Sequence, residues 1–259
     1  MKIMKDIELF DFLVSEAEHP FSGWDFSYIN SRFVEAPLTW SYSSKILPFI
    51  RTSESLLDMG TGGGELLATL APLPKHTCAT EGYKPNVDLA KKKLEPLGVK
   101  VVYCKNDENL SFNNDEFELI INRHEFYNPN EVYRVLNSDG IFITQQVGDK
   151  NDSKLRLILT GSQALENEVE WNLEFATNQI EAAGFEILES KEDITFTRIF
   201  DVGAIAFYLK AIPWDFPDFT VEKYYNKLVE INEYINDNGY LDLDMNNHRF
   251  IIKATKPKK

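Results

Sequence analysis

Two cysteines in 259 residues, Cys78 and Cys104, leave no basis for a disulfide framework or a thiolate metal site. Both sit in apolar, strand-like runs, which reads as two buried thiols and fits a reducing cytoplasm. Long apolar runs are also missing, so nothing in the sequence reaches the length of a bilayer span. The N-terminal MKIMKDIELFDFLVSEAEH is broken by acids where a signal peptide needs an apolar centre, and a cytoplasmic protein is expected. Basic charge is scarce as well. Lys and Arg number 27 against 41 Asp and Glu, a net charge of −14. That balance argues against a general grip on nucleic-acid phosphates, which needs concentrated Lys and Arg, while leaving room for a local basic pocket. Internal repeats, low-complexity tracts and zinc-ligand clusters are absent, and no metal is expected. What remains is an ordinary globular composition, 43% hydrophobic and 26% charged, long enough for one α/β domain with appendages.

Glycine is concentrated in one place. Leu56-Leu57-Asp58-Met59 reads as a short buried strand, and Gly60-Thr61-Gly62-Gly63-Gly64 follows at once. Glu65 then opens a helix with Leu66, Leu67 and Leu70 at helical spacing. Strand, glycine turn and helix are the opening of a nucleotide-binding α/β sheet, where bare backbone can approach a ligand and adopt positive φ. The nicotinamide fingerprint G-x-G-x-x-G/A needs a small third residue for helix–strand packing. Counted from Gly60 and Gly62 that position is Glu65, so the fingerprint fails.

A second candidate feature follows strand two, His76–Thr80. Glu81 closes that strand about twenty residues after the glycines, where a carboxylate can accept both ribose hydroxyls of an adenosine; an exposed loop acid is the alternative. Tyr83 would stack on the adenine or simply pack. Phe117–Ile121 reads as strand four and runs into Asn122-Arg123-His124-Glu125, beyond the carboxyl end where open sheets bind their ligands. His124 could accept a proton from a nucleophile, with Glu125 orienting it or holding a cationic substrate. A structural His–Glu pair is the other reading. Gln145 and Gln146 end strand five beside the same edge, and alternation allows only some of them to face it.

Before and after this core the signals change. Residues 5–18 show an amphipathic helix, and 20–42 are dense in aromatics, including Trp24, Tyr28 and Trp40, with Arg32 among them. Such a stretch serves as packing or as a lid over a ligand, and a sulfonium cation would be stabilised by aromatic faces. After strand six, Phe185–Leu188, about sixty residues intervene before the final strand, Arg249–Ala254. They hold two helical patterns and the loop Ile212-Pro213-Trp214-Asp215-Phe216-Pro217. We read one domain: residues 1–50 as an N-terminal lid, 51–192 and 248–256 as the core, and 193–247 as a cap or an oligomerisation element.

The pattern Asp58, Gly60, Gly62, Gly64 resembles motif I of the class I S-adenosylmethionine (SAM)-dependent methyltransferases. The loop Asn106-Asp107-Glu108-Asn109-Leu110-Ser111-Phe112 is similar to the family's G-D-A-E-N-L-P-F segment, with Asn106 at the Asp that meets the adenine amino group and Asp107 after it. Arg134-Val135-Leu136 with Gly140-Ile141-Phe142 matches the R-V-L-x-x-x-G pattern. Further segments (PFSGWDFSYI, LLDMGTGGGE, ATEGYKPN, INRHE, TQQVG, DVGAIAFYLKAIPW) resemble a bacterial methyltransferase-domain group whose acceptor the resemblance does not supply.

The resemblance implies a Rossmann-like seven-stranded sheet in the order 3-2-1-4-5-7-6, with strand seven antiparallel, and SAM as cofactor. The implied cofactor residues are Asp58, Gly60, Thr61, Gly62, Gly64, Glu81, Tyr83, Asn106, Asp107 and Asn122. His124 and Glu125 are the candidate catalytic pair. Trp24, Tyr28, Arg32, Trp40, Gln145, Gln146 and Trp214 are the candidate acceptor or lid residues. A small-molecule acceptor is expected, from a monomer or homodimer. An RNA or protein methyltransferase, or a SAM-binding protein without catalysis, is the alternative.

Overall fold

The computed structural model describes residues 6–105, 108–162 and 170–258. Its frame is one sheet of eight strands: β1 (Phe33–Glu35), β2 (Ser55–Met59), β3 (His76–Glu81), β4 (Lys100–Tyr103), β5 (Phe117–Arg123), β6 (Leu136–Val147), β7 (Glu186–Ile199) and β8 (Leu241–Thr255). The spatial order is β1-β7-β8-β6-β5-β2-β3-β4. Read from β4, the last seven are the expected 3-2-1-4-5-7-6, and β8 runs antiparallel to both β6 and β7. The eighth strand was not expected. β1 comes from the aromatic stretch 20–42 and pairs antiparallel with the far end of β7, Phe33 opposite Ile199.

Strand β2 shows why the centre is so apolar. It pairs in parallel with β3 on one side and β5 on the other, so both faces are covered. Leu56 joins a cluster with helices α2 (Tyr42–Ile50), α3 (Glu65–Thr69) and α4 (Lys84–Leu94). Leu57, next along, joins the opposite cluster with α5 (Pro129–Val135) and α7 (Leu173–Ala182).

A third core stands apart from these two. α1 (Asp6–Ala17), α6 (Ser153–Thr160), α8 (Val202–Ala211) and α9 (Val221–Asn238) bury their leucines and isoleucines against one another. α8 is apolar on nearly every side, the pattern of a helix enclosed by its neighbours. It is capped by Asp201, whose carboxylate accepts from the Ala204 N–H. These helices rest on the outer parts of β7 and β8, which continue to Ile199 and begin at Leu241. Sequence reading ended β7 at Leu188 and began β8 at Arg249, because polar residues such as Asp193, Asp242 and Asp244 interrupt the apolar pattern. In the structure that ribbon pairs strand to strand from Glu192–Phe250 out to Ile199–Leu241. The connection between the strands is therefore α8 and α9 alone.

Candidate functional site

The loop from β2 to α3 turns through three left-handed glycines, Gly60 (φ 68°), Gly62 (φ 62°) and Gly64 (φ 80°). Two of them are also fixed by what lies against them. A Cβ on Gly60 would collide with the side chain of Glu125, and one on Gly64 would press into Leu94 of α4. Gly64 thus carries the close-packing role that the nicotinamide fingerprint gives to its third glycine. Glu65 points its charge away to Lys93, at 2.6 Å. The loop is tied to β3: Thr61 N–H donates to the Thr80 carbonyl (2.9 Å), and Gly60 N–H to the Thr80 hydroxyl (3.3 Å).

Glu81 ends β3 in a buried position, where its carboxylate accepts from the Tyr83 N–H at 2.7 Å. Burial raises its pKa, opposed by the N–H groups of Tyr83, Gly62 and Gly82. The acid therefore holds the glycine loop against the end of β3. Asp58 lies one strand over; burial raises its pKa to about 7, Thr61 and Arg123 oppose the rise, and Glu81 adds to it. Tyr83 is largely exposed beside this end, as an adenine platform would be. Asn106 and Asp107 lie outside the described residues.

The other end of the cleft is made by β5 and β6. Asn122 is fully buried; its Oδ1 accepts from the Thr144 hydroxyl (2.9 Å) and from Gln146 Nε2 (2.5 Å). Its Nδ2 is buried without a hydrogen bond among the described residues, a donor left unspent at the carboxyl edge. Gln146 also reaches the Glu125 carbonyl at 3.1 Å, so it clamps the loop from within the sheet. His124 takes a left-handed φ of 60°, which turns the chain sharply out of β5. Its N–H donates to the Gln145 carbonyl at 2.8 Å.

The imidazole keeps an open surface although protein crowds it on most sides, the setting of a residue on a cleft floor. Desolvation there, with Arg249 and Arg123 nearby, holds its pKa well below the ordinary value. Its Nε2 lies 3.0 Å from Gln145 Nε2. Gln145 is oriented in turn by Trp40, whose indole N–H donates to Oε1 at 2.8 Å. The amide must therefore donate to His124, which places the imidazole proton on Nδ1. The Glu125 side chain lies on Gly60, and its Oε1 accepts from the Phe126 N–H at 3.1 Å.

The aromatic segment divides. Trp24 roofs the glycine loop, 3.2 Å from where a Cβ on Gly62 would lie, and meets Trp214 of the α8–α9 connection edge-on at 5.5 Å. Both rings remain about half exposed. Tyr28 and Arg32 sit elsewhere: both bond to Glu16 of α1, and Arg32 also pairs with Asp201 at 2.6 Å. They fasten the N-terminal segment to α1 and α8. Trp40 is buried and acts on the cleft through Gln145. Arg123 and Tyr42, which sequence reading did not single out, also face this end; the guanidinium lies 5.9 Å over the Tyr42 ring.

The glycine loop, the buried acid Glu81 at the end of β3 and the sheet order together define a class I SAM-dependent methyltransferase fold. The sequence agrees: residues 57–144 match the methyltransferase domain family, so the chain carries a SAM-dependent methyltransferase domain. Asp58, Glu81 and Glu125 grouped at a glycine loop suit a cofactor with cationic groups and ribose hydroxyls, and the unspent Asn122 amide adds a donor.

No curated protein matches the chain. Among solved structures, a proposed methyltransferase of Bacillus halodurans superposes with a TM-score of 0.58 at 20% identity, covering 85% of this chain and all of that one. A proposed sarcosine dimethylglycine methyltransferase of Galdieria sulphuraria gives 0.51 at 14% identity, covering 83% and 84%. The [4+2]-cyclase SpnF gives 0.53 at 16% identity, covering 98% and 94%. At these identities the likeness speaks for the fold alone, and a cyclase among the matches shows why the reaction has to be argued from the site.

Proposed function

We propose that this protein transfers the methyl group of SAM to a small-molecule acceptor by in-line displacement, with the acceptor held between the β5 edge and the Trp24–Trp214 roof. The observation that carries this reading is the roof itself. Two tryptophans meet directly above the glycine loop in a chain of net charge −14. A nucleic-acid enzyme would need a wide basic groove there.

Bound SAM supplies the activated methyl group; the chain supplies placement and exclusion of water. Glu81 accepts from the ribose, Tyr83 offers a face to the base, and Glu125, lying on Gly60, faces the cofactor's ammonium. His124 is best suited to donating its Nδ1–H to the acceptor. Taking a proton at Nε2 would require Gln145 to let go, and the lowered pKa makes the imidazole a weak base.

Calorimetry with S-adenosylhomocysteine tests the cofactor half; no binding at millimolar ligand would remove it. Transfer of labelled methyl from SAM into a small-molecule extract, against RNA and protein fractions, tests the acceptor half. Label recovered only in RNA or protein would select the alternative, and binding with no transfer to any fraction would leave a SAM-binding protein.

A further inference from the structure

Arg123 is the last residue of β5, on the sheet face that α2 covers. The chain has seven arginines. The other six each donate to, or pair with, a carboxylate or a run of backbone carbonyls. The Arg123 guanidinium has no ion pair and no hydrogen bond among the described residues. Its guanidinium is exposed and supported from below by the Tyr42 ring. Arg249, the nearest like charge, is already spent on Glu35 at 2.9 Å. Protein nevertheless crowds the guanidinium enough that desolvation lowers its pKa, and an arginine in such surroundings is ordinarily matched by a protein carboxylate. One left unmatched at the carboxyl end of β5 is open to a carboxylate from outside the chain.

His124 adds a second open donor. The Trp40–Gln145 relay fixes its proton on Nδ1, and that N–H has no partner among the described residues. Both donors stand at one strand end, consecutive in the chain. The charges around them restrict the guest. Asp58, Glu35 and Glu125 nearby would repel a dianionic phosphate, whereas a single planar carboxylate matches one guanidinium fork and one neutral N–H.

We propose that Arg123, assisted by the His124 Nδ1–H, is a carboxylate-receiving site, filled by the amino-acid end of the cofactor or by a carboxylate on the acceptor. The inference rests on the methyltransferase reading, and the test separates the two. Calorimetry is run with S-adenosylhomocysteine and with 5′-methylthioadenosine, which keeps the adenosine and lacks the amino-acid end. Wild-type protein that binds neither loses the methyltransferase reading, and benzoate titrated into the ligand-free protein then still tests Arg123.

If the carboxylate is the cofactor's, Arg123→Gln weakens S-adenosylhomocysteine by roughly 10- to 100-fold and leaves methylthioadenosine unchanged. Arg123→Lys, which keeps the charge and loses the fork, falls between. If it is the acceptor's, both adenosine ligands bind Arg123→Gln as tightly as wild type. Benzoate then binds the wild-type S-adenosylhomocysteine complex, benzamide does not, and Arg123→Gln abolishes the benzoate signal. A folded Arg123→Gln with unchanged affinity for all of these probes overturns the proposal.

Discussion

At the cofactor end of the cleft, the binding groups are supplied by one short run of backbone and the acid that ties it down; at the acceptor end, they are side chains delivered from far apart in the chain. Gly60, Gly62 and Gly64 lie within five residues, and Glu81 meets them through parallel pairing of β2 with β3. The proposed acceptor end draws on Trp40 before the core, Arg123 and His124 at the end of β5, Gln145 on β6, and Trp214 between α8 and α9. A backbone-built site tolerates almost no added atom, whereas a relay of side chains can be retuned one member at a time. That contrast suits a fold that keeps its cofactor and changes its acceptor.

The largest effect should come from breaking the backbone end. Gly60→Ala meets a left-handed φ, which costs an L-residue about 1–2 kcal/mol, and also drives its Cβ into Glu125. Gly98→Ala is the control, since its φ of 84° is also left-handed but nothing lies within 4 Å of the added carbon. Gly60→Ala should therefore be the less stable of the two, and it alone should lose S-adenosylhomocysteine affinity, by tenfold or more. Equal melting temperatures and equal affinities would show that the loop is not tight.

Glu81→Ala comes next. It removes one or two charge-assisted hydrogen bonds to the ribose, about 1.5–3 kcal/mol each, and frees the Gly62 N–H. Methylthioadenosine should weaken together with S-adenosylhomocysteine, because the loss is at the ribose. Unchanged affinity for both would take Glu81 out of the ribose role.

For His124 the expected effect falls on turnover. His124→Ala should lower the methyl-transfer rate by roughly ten- to a hundredfold, with S-adenosylhomocysteine affinity kept if the carboxylate at Arg123 is the acceptor's and weakened if it is the cofactor's. His124→Asn, which retains an N–H donor, should recover part of that loss. The wild-type rate should show no inflection from this residue at the ordinary imidazole pKa, since desolvation holds it well below that value. An inflection abolished by His124→Asn would restore the general-base reading.

The same contrast explains what could be read without the structure. The glycine turn and Glu81 are local patterns with fixed spacing, and sequence carries such information densely; the seven-strand order comes with the family resemblance that those patterns carry. β1 escaped because Phe33-Val34-Glu35 is too short for periodicity, and only its partner Ile199, distant in sequence, makes it a strand. The outer halves of β7 and β8 escaped because charged residues on one face of a ribbon look like loop. Tyr28 and Arg32 were assigned to the lid for their types, but they are bonded to Glu16 and Asp201. Arg123 was passed over for its titrating neighbour: its lack of a partner is a property of the folded surroundings, and no spacing rule reports it.

The smallest expected effect concerns the joint between core and cap. Asp152, on the loop after β6, is buried with φ 56°; its carboxylate accepts from the Tyr208 hydroxyl of α8 (2.7 Å), Asn151 Nδ2 (2.7 Å) and Asn246 Nδ2 of β8 (3.1 Å). Burial raises its pKa from 3.8 to about 7; Tyr208 and Arg249 oppose the rise, and Asp215 and Glu35 add to it. Between those two values the folded chain holds a proton that the unfolded chain has released. The stabilisation is thus complete below about pH 4 and is lost as pH rises through 7. Asp58 titrates over the same range, so wild-type melting alone cannot isolate the joint. Tyr208→Phe can, because it removes the donor that favours the ionised form and should move the upper end of the decline above pH 7. Melting temperatures of both proteins from pH 5 to 9 check this. Parallel curves would mean that the bonds at this joint hold regardless of the proton.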